Sequence, residues 1–123
     1  MDYQAHYNKL ITKAQNRTLP INVYTEAHHI LPRSMGGGDE PSNIIRLTLK
    51  EHYFAHILLA MAGNDNQWAS VSAIIQDRVN KSKPQRFAKL KLSKFIRRKL
   101  HSFATSRLRV IAAQRSRNKN NIR

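Results

Sequence analysis

Residues 26–56 read EAHHILPRSMGGGDEPSNIIRLTLKEHYFAH, and this stretch holds four of the chain's six histidines. His28 and His29 are adjacent, Asn43 follows, and His52 and His56 stand four apart. Residues 21–30 are rich in Ile, Val, Tyr and Thr, which predicts a short strand. The stretch from Pro32 to Pro41 contains Gly36, Gly37 and Gly38 and reads as a loop in which glycine lets the backbone turn back. Residues 43–47 predict a second short strand. Thr48, with Glu51 three residues later, is a capping box that starts a helix over about residues 49–62. Neighbouring side chains on a strand diverge, so His28 and His29 point to different faces. Residues four apart on a helix share a face, so His52 and His56 lie about one turn apart.

With no cysteine in the chain, imidazole and carboxylate are its means of holding a transition metal. An i, i+4 histidine pair can bind one ion jointly. If the helix packs back across the hairpin, one of the adjacent histidines completes a three-imidazole site and the other is left as a base. Phosphodiester hydrolysis needs that division of labour. Positive charge must neutralise the scissile phosphate and the departing oxygen, and a neutral imidazole must take a proton from the attacking water. The pattern points to a metal-dependent nuclease.

Charge supports the same class. The net charge is +15, and it is unevenly placed. Residues 1–77 carry six Lys/Arg and all seven acidic residues, whereas residues 78–123 carry sixteen Lys/Arg and no Asp or Glu. A near-neutral part followed by a basic one suggests a core with a polyanion-binding arm, and nucleic acid is the first candidate. An anionic membrane surface or a solvated helix face are the bland alternatives. The longest apolar run, residues 57–62, is too short to span a bilayer, and the first residues lack the apolar region of a signal peptide. A cytoplasmic protein, in the host cell if phage-encoded, is the expectation.

The flanking segments read as helices. Residues 2–17 place Tyr3, Tyr7, Leu10, Ile11 and Ala14 at spacings of three and four, with Asp2 as a candidate cap. Residues 66–79 put Trp68, Val71, Ile74, Ile75 and Val79 on one face. Residues 85–116 form a long helical stretch with a possible break near His101–Ser106, and Phe87, Leu90, Phe95, Ile96, Leu100 and Phe103 form a stripe for packing. The tail from Asn118 is expected to fray. The fold class is thus α+β, mostly helical, with a central strand-loop-strand-helix unit flanked by an N-terminal helix and basic C-terminal helices. The domain reading is a core over residues 1–80 and a basic helical extension over residues 81–123.

The ordered set EAHHILP, GGG, SNIIRLT and EHYFAH resembles the HNH (ββα-metal) endonucleases, in the form common among small phage homing-type nucleases. It is also similar to the nuclease domains of the DNase colicins. The likeness covers about residues 24–59. It implies that His29 is the general base and that His28, His52 and His56 are metal ligands. It further implies that Asn43 ties the loop across the hairpin, and that Glu26 holds a nearby Arg or metal-bound group. Many members of the family have Asp at the position of His28 and carry cysteine pairs for structural zinc. This chain lacks the cysteines, so its core must hold the motif together. His28 softens the site, favouring Zn²⁺, Ni²⁺, Co²⁺ or Mn²⁺ over strict use of Mg²⁺.

The substrate implied is double-stranded DNA, cut one strand per active site to leave 5′-phosphate and 3′-hydroxyl ends. Arg33 is placed to reach a phosphate near the scissile bond. Lys94, Arg97, Arg98, Lys99, Arg107 and Arg109 form the basic surface of the extension, with modest sequence specificity and strong salt dependence expected. The rival readings are a non-catalytic, zinc-stabilised nucleic-acid-binding protein and a nuclease acting on RNA. The reading is compatible with a monomer and with a homodimer.

Overall fold

The computed structural model describes residues 1–76 and 94–121. Helix α1 (Tyr3–Gln15) starts where the Asp2 carboxylate accepts a hydrogen bond from the Ala5 N–H at 2.9 Å. It ends at Asn16, with Lys13 in its last turn, where a cation complements the helix dipole. Strands β1 (Glu26–His29) and β2 (Ile44–Leu47) pair antiparallel, with Glu26 opposite Leu47 and His28 opposite Ile45. Short 3-10 turns cover Arg33–Met35 and Pro41–Asn43, and helix α2 (Leu49–Met61) follows. Helices α3 (Gln67–Gln76) and α4 (Lys94–Asn121) complete the described residues. The protein is α+β and mostly helical, with β1, β2 and α2 forming a ββα unit. No helix among the described residues is long and apolar enough to cross a membrane.

The expected first strand is shorter than its composition suggests. Ile21, Val23 and Tyr24 are β-forming, yet Val23 N–H bonds back to Pro20 O at 3.1 Å in a turn. The reason lies in the partner. Leu47 pairs with Glu26, and Thr48 then caps α2, so no ladder partner remains for residues before Glu26. Asn43 likewise closes a 3-10 turn rather than opening β2.

The capping box forms as the sequence predicts. Thr48 Oγ1 accepts from Glu51 N–H at 3.3 Å, and Glu51 Oε1 accepts from Thr48 N–H at 2.9 Å. The Glu51 carboxylate also takes both terminal nitrogens of Arg17, which follows α1. Gly63, at φ +109°, supplies the left-handed residue that ends α2.

The chain divides into two compact units, Met1–Gly63 and Asn64–Arg123. The expected boundary between residues 80 and 81 falls outside the described residues, and α3 groups with α4. In the first unit Tyr7, Ile11 and Ala14 of α1 pack with Leu47 of β2 and with Ala55 and Leu59 of α2. Burying a leucine such as Leu59 contributes about 1.5–3 kcal/mol.

In the second unit Trp68, Val71 and Ile74 are buried, as are Ala104 and Ile111 of α4. Helix α4 runs without a break through His101–Ser106, where Thr105 Oγ1 donates to the His101 carbonyl at 2.8 Å. Phe103, placed in the packing stripe by spacing, touches the Trp68 ring edge-on but stays 48% exposed. Ala104 and Ile111, seven apart, take the inward positions instead. Phe87, Leu90 and Val79 lie outside the described residues, as do the side chains of Ile75, Phe95 and Ile96.

Candidate active site

Pairing decides which way each histidine faces. His28 lies opposite Ile45 on the hairpin face that also carries Glu26 and Leu47, so it points inward and is 2% exposed. The capped helix α2 brings His52 and His56 to the same place. Each of the three offers one nitrogen, and these nitrogens all lie within 4.8 Å of one another. Ring centroids stand 5.2 Å apart for His28–His52 and His28–His56, and 4.7 Å for His52–His56.

The donor set fits a divalent cation. Nε2 of His52 and Nε2 of His56 are 3.0 Å apart. Two nitrogens on one tetrahedral zinc, each bonded at about 2.0–2.1 Å, stand roughly 3.3 Å apart, so a small adjustment suffices. Burial first, then the neighbouring histidines, push the His28 pKa down to about 3. Its ring is therefore neutral at pH 7 and keeps a lone pair to donate.

A second layer holds these rings. Glu26 Oε1 lies 2.8 Å from His52 Nδ1, and Glu26 also accepts from the Tyr24 hydroxyl. A carboxylate cannot donate, so His52 Nδ1 carries the proton and Nε2 the lone pair. Glu26 thus holds His52, one of the three converging imidazoles. His28 Nε2 is 2.8 Å from the Tyr7 hydroxyl, which donates to the Ile30 carbonyl at 2.6 Å.

His29, one residue on, faces the other way and ends β1. Its Nε2 lies 2.7 Å from Asp39 Oδ1, and the same oxygen accepts from Arg33 Nη2 at 2.8 Å and Nε at 3.1 Å. These bonds, that from His29 first, hold the Asp39 carboxyl below its usual range. Arg33, expected at a phosphate, is thus tied to Asp39 here, although its side chain remains 70% exposed.

Asn43 fixes the loop between the two histidine-bearing segments. Its Oδ1 accepts from Leu31 N–H at 2.8 Å, and its Nδ2 donates to the Leu31 and Gly38 carbonyls at 3.0 and 2.9 Å. The Asn43 carbonyl accepts from Ile30 N–H at 2.8 Å. The loop passes so close that a Cβ on Gly37 would lie 1.8 Å from Leu31 O, which is why glycine stands there.

The basic residues of α4 belong to the second unit. Arg98, Lys99 and Arg109 are exposed on that helix, and Arg107, its side chain 42% exposed, faces Asp65 at 3.8 Å. The side chains of Lys94 and Arg97 lie outside the described residues. Sequence reasoning missed Tyr7 and Asp39 as partners of His28 and His29, and Tyr24 as the partner of Glu26. Tyr7 carried a weak signal, being an aromatic with a polar tip on the core face of a helix.

No family model matches the chain, and no solved structure matches it. The chain is 50% identical over 60 residues to the probable mobile endonuclease E of Enterobacteria phage T4, covering 49% of this chain and 42% of that protein. It is 48% identical over 63 residues to the probable mobile endonuclease D of the same phage, covering 49% of this chain and 24% of that one. An uncharacterized 38.5 kDa protein in psbA intron 1 of Chlamydomonas moewusii is 31% identical over 83 residues, 63% of this chain and 24% of its own length. The chain spans less than half the length of these relatives.

Proposed function

We propose that this chain is a metal-dependent endonuclease of the HNH type that hydrolyses phosphodiester bonds of double-stranded DNA. The observation that carries the reading is the convergence of His28, His52 and His56 on one point, with His29 the next residue along the strand. Similarity to proteins named probable mobile endonucleases of a phage supports the same class.

In this reading His28, His52 and His56 hold one divalent ion, which when bound supplies positive charge beside the scissile phosphate and the departing 3′ oxygen. His29 takes the proton of the attacking water. The Asp39 carboxylate, accepting from His29 Nε2, keeps the ring in one tautomer with its lone pair on Nδ1. Asn43 sets the loop from which Arg33 and Asp39 project. Glu26 orients His52 through Nδ1, as carboxylates do for metal-binding imidazoles. Three imidazole donors are one fewer than a four-coordinate structural site would use, and a bound ion would supply catalytic rather than purely structural chemistry. The basic residues of the extension, Arg98, Lys99 and Arg109 among them, supply the sequence-independent grip on phosphate.

The test is incubation of supercoiled plasmid, and separately of single-stranded RNA, with the protein and Mg²⁺, Mn²⁺, Zn²⁺ or Ni²⁺. Open circles that form with metal and stop with EDTA are the expected result. Metal and DNA binding without cleavage under any metal would put the non-catalytic reading in its place. Cleavage of RNA alone would reassign the substrate.

A further inference from the structure

We propose that Tyr7 is a positioning residue for the metal centre, selecting through His28 Nε2 the tautomer in which His28 offers Nδ1 to a divalent cation. The inference rests on the reading of His28, His52 and His56 as ligands, and it extends the site to α1, outside the ββα unit.

The argument is one of proton bookkeeping. A tyrosine hydroxyl has a single proton to give. The Tyr7 oxygen touches two groups, the Ile30 carbonyl at 2.6 Å and His28 Nε2 at 2.8 Å. A carbonyl only accepts, so the hydroxyl proton goes to Ile30. The Tyr7 oxygen must then accept, and His28 Nε2 must carry the proton. Neutral His28 is left with its lone pair on Nδ1. Tyr7 and His28 are 3% and 2% exposed, so water does not compete for either group.

The acceptor that orders this chain is itself held. Ile30 N–H donates to the Asn43 carbonyl at 2.8 Å, so the hairpin fixes the position of the Ile30 peptide. The Tyr7 ring packs with Ile11 and Ala14 of its own helix and with Leu47, Ala55 and Leu59. One face of Tyr7 is core and its tip is part of the site. The arrangement matches that of Glu26 on His52: in each case the group opposite the lone pair is engaged by a fixed acceptor, which orients a metal-binding imidazole.

Tyr7→Phe keeps the ring and removes the hydroxyl. Calorimetric titration of the full chain with Zn²⁺ should show one ion bound by wild type, and binding weaker by about 10- to 100-fold in Tyr7→Phe. Long-range ¹H–¹⁵N spectra of the wild-type His28 ring supply a readout that needs no variant. They should show protonated Nε2 without metal and a metal-bound Nδ1 with Zn²⁺. Unchanged affinity in Tyr7→Phe, or Zn²⁺ on Nε2 of wild-type His28, overturns the role of Tyr7 and leaves the metal site standing. Failure of wild type to bind Zn²⁺ overturns both.

Discussion

Glu26 on β1 and His52 on α2 meet through a 2.8 Å contact between Oε1 and Nδ1, with the two side chains only 10% and 13% exposed. This contact ties the strand that carries His28 to the helix that carries His52 and His56. It also leaves Nε2 of His52 facing His56.

Removing that carboxylate should loosen the metal more than the fold. Glu26→Ala is expected to weaken Zn²⁺ binding about 10- to 100-fold, while helix content by circular dichroism stays at the wild-type level. Glu26→Gln keeps an acceptor for Nδ1 and should fall between the two. Calorimetric titration measures all three proteins.

The loop gives a second prediction. A side chain on Gly37 collides with the Leu31 carbonyl and presses on the Asn43 amide, 3.0 Å from the added carbon. Gly37→Ala is expected to lower stability by about 1–3 kcal/mol, the range for overpacked sites. It should also depress nicking beyond what stability explains, because the same loop carries Asp39, the partner of His29. Urea unfolding and plasmid cleavage read the two effects separately.

Arg17 and Glu51 predict a pH dependence of stability. The Arg17 hydrogen bonds, ahead of those from Thr48, hold the Glu51 carboxyl below its ordinary value. A group depressed in the folded state stabilises it fully above the unfolded carboxylate value, about 4.3, and loses that contribution as pH falls through the folded value. Glu51→Gln removes the charge and leaves an oxygen for the cap. In EDTA, the stability gap between wild type and this variant should be widest near pH 7 and shrink steadily below about pH 4. A gap independent of pH would show that the ion pair contributes nothing.

Charge on α4 is tested by salt. Arg98→Gln with Lys99→Gln should reduce the slope of log binding constant against log salt by about one for each phosphate left without its cation. An unchanged slope would return these side chains to a solvated helix face.

How much of this was legible follows from how local each signal is. The Thr48–Glu51 box and the His52–His56 pair depend on four or five consecutive residues, and both form where spacing puts them. The opposite orientations of His28 and His29 follow from strand alternation alone. The start of β1 did not follow from residues 21–24, because strand extent is set by the partner, and β2 ends at Leu47. Tyr7 lies twenty-one residues from His28, and its spacing announced only a core face. Asp39 looked like one more polar loop residue. Its place beside His29 depends on the path that Gly37 and Asn43 impose, which no local pattern encodes.

The central claim is that His29 activates the attacking water while His28, His52 and His56 hold the ion. The most direct measurement is the rate of first-strand nicking by His29→Ala, with metal saturating and both metal and DNA binding measured on the same preparation. The account predicts that metal and DNA bind as in wild type while the rate falls by about 10²- to 10⁴-fold, the usual worth of a general base. Nicking by His29→Ala at the wild-type rate would contradict it.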